Sequence, residues 1–193
     1  NAVNDTPVVT GVDTDGTIND GSTLTDTGSI TFTDADPSDR PTASEVTKSV
    51  TAKKADGSAL SLTTEQRSAI EAAFKLNAAD GNVNDGTVNW VYDIKASDLE
   101  FLAEGEVVTA VFTITVNDGK GGTDTQDVTV TLTGSNDAPK ITVVDVTGEI
   151  TDGTDLTDSG SITFTDLDLT DRPTATEATK SVTAKKADGS ALS

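Results

Sequence analysis

Short runs of valine, isoleucine, threonine and aromatic residues alternate along the chain with clusters of glycine, aspartate and asparagine. Branched and aromatic side chains suit a pleated, half-buried surface and the small polar residues suit turns, so the pattern predicts an antiparallel all-β domain. Strands are expected over residues 8–12, 29–33, 46–53, 87–94, 107–117 and 125–133. The last two alternate cleanly. Val108, Ala110, Phe112, Ile114 and Val116 fall on one face, as do Val128, Val130 and Leu132 after the turn Asp118-Gly119-Lys120-Gly121-Gly122. A long hairpin with a core-facing side follows from that spacing. Trp90 and Tyr92 share a strand face with Val88 and are expected in the core rather than on a sugar-binding platform. One stretch departs from period two. Residues 63–76 begin with Thr63 and Gln66 at capping-box spacing and place Ala69, Ile70, Ala73 and Phe74 at helical intervals, which predicts one short inserted helix.

Residues 4–61 align with residues 136–193 without a gap, and 42 of the 58 positions are identical. The run 28–34 recurs as 160–166, and 48–61 recurs unchanged as 180–193. The chain therefore reads as a complete β-sandwich repeat over residues 1–135, followed by the N-terminal part of a second, truncated repeat of the same kind over 136–193. The period exceeds the 20–50 residues of a solenoid unit and suits a whole domain, one bead of an array. The boundary falls at Ser135-Asn136-Asp137-Ala138-Pro139, matched by Asn4-Asp5-Thr6-Pro7. Proline there fixes its own φ and holds the preceding residue extended, giving a short, stiff connection. Taken alone, residues 136–193 would expose their apolar strand faces. Either strand exchange with another chain or the remainder of a longer protein is expected to cover them.

Acidic residues outnumber basic ones 33 to 13, for a net charge of −20. Such a surface repels nucleic acid and anionic membranes, and bound divalent cations would relieve its self-repulsion. An acidic surface that only keeps the protein soluble is a second, compatible reading. The chain has no Cys, His or Met. That removes disulfides, zinc sites with nitrogen or sulfur ligands, and Ser-His-Asp or Cys-His nucleophiles, so no enzyme activity is expected. No apolar run is long enough to span a membrane.

Four motifs together carry a family likeness: Gly86-Thr87-Val88-Asn89-Trp90-Val91-Tyr92, Leu102-Ala103-Glu104-Gly105-Glu106, Phe112-Thr113-Ile114-Thr115-Val116-Asn117-Asp118-Gly119, and Gly134-Ser135-Asn136-Asp137-Ala138-Pro139. The chain resembles the VCBS and bacterial cadherin-like repeats of giant bacterial surface proteins, and the resemblance covers each copy. It implies an immunoglobulin-like or cadherin-like sandwich, repeated many times in a large adhesin of the RTX class. That adhesin would be secreted by type I export, displayed on the bacterial cell surface and active in adhesion and biofilm formation. The implied role is a structural extender, a spacer stiffened by calcium at its linkers, with neighbouring identical repeats as partners. The alternative is an adhesive module that itself binds a glycan or a protein.

The resemblance also implies where calcium sits. At the junction of the two copies it points to Asp20, Glu106 or Glu104, the linker pair Asn136 and Asp137, and Asp166 with Asp168. At the other end of the repeat the matching set is Asn4, Asp5, Asp34 and Asp36, expected to be incomplete without a preceding domain. Calcium takes six to eight oxygen ligands in tolerant geometry, and residues i and i+2 of an extended segment converge on one side. The competing reading is that these aspartates are strand-end turn residues capping backbone amides. The acidic turns at 13–15, 80–85 and 118 are read that way. Asp39 and Asp171 are expected to pair locally with Arg40 and Arg172 as exposed ion pairs of little energetic weight.

Overall fold

The computed structural model describes residues 3–78 and 83–191, so part of the acidic stretch 80–85 lies outside the described residues. The first repeat is a two-sheet sandwich built from eight strands. They are β1 (Val8–Asp13), β2 (Asp15–Asn19), β3 (Thr25–Thr33), β4 (Thr42–Lys53), β5 (Phe74–Ala78), β6 (Asp85–Asp93), β7 (Val107–Asn117) and β8 (Thr123–Thr133). One sheet has the order β1-β3-β6-β5 and the other β2-β8-β7-β4. All neighbours are antiparallel except β2 and β8, which run parallel with Asn19 opposite Thr133.

The alternation of β7 and β8 puts five and three apolar side chains, as expected, into the space between the sheets, all fully buried. Val88, Trp90 and Tyr92 of β6 face them from the other sheet. Phe74 stacks on Phe112 at 4.2 Å and on Trp90 at 5.8 Å between centroids, so three aromatic rings from three strands form the middle of the core. Burying each such side chain stabilises the fold by roughly 1.5–3 kcal/mol. The Trp90 indole donates Nε1–H to the Asp13 carbonyl at 2.8 Å and thereby closes its one polar site. Gly28 must be glycine for the same ring, because a β-carbon there would lie 2.3 Å from Trp90.

The helix is shorter than the sequence suggests. It runs over α1 (Thr64–Ala72), opened by Thr63 with both capping-box hydrogen bonds present. Residues 74–78 are not helical but form β5, paired to β6 with Phe74 opposite Tyr92. Phe74 and Leu76 fit a period of two as well as one of 3.6, and the open edge of β6 offers backbone partners that a longer helix would forgo. The Tyr92 hydroxyl donates to the Ile70 carbonyl at 3.0 Å and holds the helix on the sheet. Burial of that phenol drives its pKa far above the ordinary value.

Residues 136–191 carry a second, smaller unit whose only regular elements among the described residues are β9 (Lys140–Asp145) and β10 (Ser161–Thr165). Their pairing repeats that of β1 and β3 position for position, including the register shift after Val143 that matches the one after Gly11.

Candidate cation sites at the repeat junctions

The loop after β3 carries Asp34, Asp36 and Asp39, and its counterpart after β10 carries Asp166, Asp168 and Asp171. In each copy one carboxylate oxygen from every aspartate lies within 4.8 Å of the others. The loop is shaped by its own backbone. The Asp36 N–H donates to Asp34 Oδ1 at 2.9 Å, and the Asp39 N–H donates to the Asp36 carbonyl at 3.0 Å, folding three acidic side chains inward. The second copy repeats both bonds, at 3.1 and 3.2 Å. The linker then joins the loop: the Asp5 N–H donates to Asp36 Oδ2, and the Asp137 N–H to Asp168 Oδ2, each at 2.8 Å.

Asp34, Asp39 and Asp168 are 5%, 4% and 3% exposed. Buried carboxylate oxygens are costly unless a hydrogen bond or a positive charge compensates them. Four here have neither: Oδ2 of Asp34, Asp39 and Asp137, and Oδ1 of Asp168. Burial, with the negative charges of Asp171, Asp137 and Asp166 close by, pushes the Asp168 carboxyl above its ordinary pKa despite the bond from the Asp137 amide. Among the described residues no basic side chain forms a salt bridge with these aspartates. The expected ion pairs of Asp39 with Arg40 and of Asp171 with Arg172 do not form. Each guanidinium Nη1 donates instead to the carbonyl of its preceding aspartate, at 2.6 Å in both copies, while the carboxylates turn inward. Lys48 with Asp127, on the outer face of the second sheet, is the one salt bridge among the described residues.

A cleft where the first repeat meets the second copy is lined by Lys54, Asp56, Glu104, Glu106, Asn136 and Asp171. Glu106 is 1% exposed and accepts the Ala103 N–H through Oε2 at 3.2 Å. The Leu169 N–H reaches the Phe101 carbonyl at 3.4 Å, tying the acidic loop to the first repeat. The junction therefore puts Glu104, Glu106 and Asn136 in one cleft with Asp171 of the triad, while the Asp137 amide binds Asp168. Asp20 stands apart from that cleft. Its carboxylate accepts from the Ser135 hydroxyl at 3.1 Å and its N–H donates to the Thr133 carbonyl, so it braces the start of the linker.

At the other end, Asn4 and Asp5 lie beside the matching triad of Asp34, Asp36 and Asp39. There the Asn4 side chain donates to Asp118 Oδ2 at 2.9 Å. Asp118 is a turn residue, as its sequence position suggests, and also accepts from the Lys120 and Gly122 amides. Those donors, the Asn4 amide first, hold its carboxyl below the usual range.

Asp39 and Asp171 belong to the carboxylate clusters and not to the arginine pairs that the sequence suggests, although a signal for them was present. Between DADPSD at 34–39 and DLDLTD at 166–171, only the three aspartates are unchanged.

No family model matches the chain, and no curated protein does. Among solved structures it is similar to the N-terminal Ig1-2 module of the Drosophila receptor protein tyrosine phosphatase DLAR, at 15% identity and a TM-score of 0.36, covering 71% of this chain and 56% of that one. It is also similar to an ASH/PapD-like domain of human CEP192, at 12% identity and a TM-score of 0.40, covering 65% of this chain and 84% of that domain. The periplasmic chaperone SfaE matches at 8% identity and a TM-score of 0.35, over 66% of this chain and 57% of the chaperone. These are immunoglobulin-like and PapD-like folds, and at such scores the likeness bears on no function.

Proposed function

We propose that this chain is a structural extender of a secreted bacterial surface adhesin, in which calcium bound at the repeat junctions stiffens an array that projects ligand-binding domains for adhesion and biofilm formation. The reading rests above all on the aspartate triads, which occupy the same sequence positions in both copies, and on the buried, unpartnered carboxylate oxygens beside each: Oδ2 of Asp34 and Asp39 in the first, Oδ1 of Asp168 and Oδ2 of the linker Asp137 in the second. Hard carboxylate and amide oxygens with no nitrogen or sulfur donor suit calcium. At the junction Asp166, Asp168 and Asp171 would hold the ion together with Asp137, and Glu104, Glu106 and Asn136 stand beside them. At the opposite end Asp34, Asp36 and Asp39 would do so with Asn4 and Asp5. Bound calcium supplies positive charge to carboxylates that otherwise repel one another. Because ligands from the linker and the following loop share it, it would also restrict bending between beads. A strand of 11 residues such as β7 makes each bead on the order of 35 Å long.

Small-angle scattering and thermal unfolding of the chain, in calcium and in excess chelator, test the proposal. Calcium should lengthen the particle and raise the melting temperature, and Asp168→Asn with Asp171→Asn should remove the lengthening. Identical scattering and melting in both conditions would sink it.

A further inference from the structure

Each acidic cleft is lined by one lysine that pairs with none of its carboxylates. Lys54 lines the junction cleft with Glu104, Glu106, Asn136 and Asp171. Lys120 lines the matching cleft at the other end with Asn4, Asp36 and Asp39. Among the described residues only Lys48 forms a salt bridge, with Asp127, so neither of these two ammonium groups closes on a carboxylate.

Both lysines are exposed, yet the backbone beneath each is fixed. The Lys54 N–H donates to the Ser58 carbonyl and the Gly57 N–H to the Lys54 carbonyl, each at 2.8 Å, which closes a tight turn after β4. That turn packs on the one carrying the two glutamates, where Gly105 stands at φ +80 and a β-carbon would lie 3.1 Å from the Ala55 side chain. Lys120 sits in the β7–β8 turn. Its N–H donates to Asp118 Oδ1 at 2.6 Å, and Asp118 accepts from the Asn4 side chain of the linker at 2.9 Å. Since Lys53 lies opposite Val107 and Thr42 opposite Asn117, the two turns stand at opposite ends of β7. Two unrelated turns thus anchor a lysine beside the carboxylates at either pole of the first repeat.

A flexible four-carbon stem lets an ammonium swing while its Cα stays in place. With no divalent cation bound, that swing would bring a positive charge onto clusters whose buried oxygens lack partners. Calcium carries twice the charge and takes six to eight oxygens, so it would win the carboxylates and send the ammonium back to solvent. Like charges in one cleft repel, and the lysine therefore weakens the binding of the ion it gives way to.

We propose that Lys54 and Lys120 are tethered counterions of the two clefts: they neutralise the carboxylates when divalent cation is scarce, calcium displaces them, and their charge sets the calcium concentration at which each junction stiffens. The inference rests on the calcium reading of the clefts and adds a threshold to it. Below that threshold the lysines hold the poles together without joining one bead rigidly to the next.

Calorimetric titration of the full chain with calcium tests the inference, each cleft being identified by the binding lost in Asp168→Asn or Asp36→Asn. Lys54→Gln should tighten the junction cleft about three- to tenfold and leave the other unchanged, and Lys120→Gln should do the reverse. Lys54→Arg keeps the charge and should stay within about twofold of the parent, as should Lys75→Gln on β5, outside both clefts. In chelator the sign inverts. There Lys54→Gln should lower the exchange protection of the Asp137 amide, which donates to Asp168, and Lys54→Arg should preserve it. Calcium affinity that is indifferent to both glutamine variants, or that rises as much in Lys75→Gln, would overturn the inference and leave the calcium reading standing. Absence of binding heat in every variant, with melting unmoved by calcium, would overturn both.

Discussion

Residues 42–61 and 174–193 differ only at Ser44/Thr176 and Val46/Ala178, yet residues 42–53 are a long strand and their counterparts at 174–185 form none. In the first copy, residues 42–53 zip to β7 from Thr42–Asn117 to Lys53–Val107 and bury Val50 and Ala52. In the second, residues 174–184 have no partner and no regular pairing. The turn that follows is the same in both. Lys54 N–H to Ser58 O and Lys186 N–H to Ser190 O are each 2.8 Å. Asp56 and Asp188 each cap a serine amide, and Gly57 and Gly189 sit at φ +82 and +85. A turn whose hydrogen bonds close within five residues is written into those residues. A strand whose bonds and burial lie on another segment is written only jointly with that segment, which is why β propensity depends on context.

Several measurements would sharpen or break this contrast. The largest effect is expected at one phenylalanine in two settings. Phe32→Ala should destabilise the first repeat by about 3–5 kcal/mol in chemical denaturation, and Phe164→Ala should leave that transition unmoved. Equal losses would mean that the second copy is already packed. Val50→Ala should cost about 2 kcal/mol for its lost burial and cavity, against no measurable change for Val182→Ala.

Thr63→Ala removes a cap just beyond the part of the sequence that the two copies share. It should cost about 1 kcal/mol, read from the same denaturation curve. The smallest expected effect is electrostatic. The Asp168 pKa is raised in the folded chain, so its ionised form opposes folding of the junction. That opposition is full above the raised pKa and fades as pH falls through it. In chelator, exchange protection of the Asp137 amide should therefore increase on mild acidification, and Asp168→Asn should flatten that response.

Much of this architecture was legible in the sequence, and the failures have physical causes. The alternation was plain because every second residue of β7 from Val108 to Val116 is apolar, as are Val128, Val130 and Leu132 of β8. Strand β2 was not. Its five residues bury only Gly16 and Ile18, and its backbone partner β8 lies more than 100 residues away. The end of the helix was obscured because Phe74 and Leu76 satisfy two periodicities at once. Of the candidate positions, Asp166 and Asp168 lie close together with Asp171 and the Asp137 amide binds Asp168, whereas Asp20 turns to Ser135. Asp39 and Asp171 were misread because an adjacent arginine suggested a pair. The loop instead satisfies that arginine with carbonyl oxygens and leaves the carboxylates to each other.

The parallel pairing of β2 with β8 also fixes how the first repeat answers tension. Its two ends leave from opposite poles, with Asn4 beside the β7–β8 turn and Thr133 beside Asn19. A pull along the chain slides β2 and β8 past one another, so their hydrogen bonds must shear together rather than peel apart in turn. In single-molecule stretching the repeat should resist as a mechanical clamp. Replacing residues 15–19 with glycine and serine should lower its rupture force, and an unchanged force would place the clamp elsewhere.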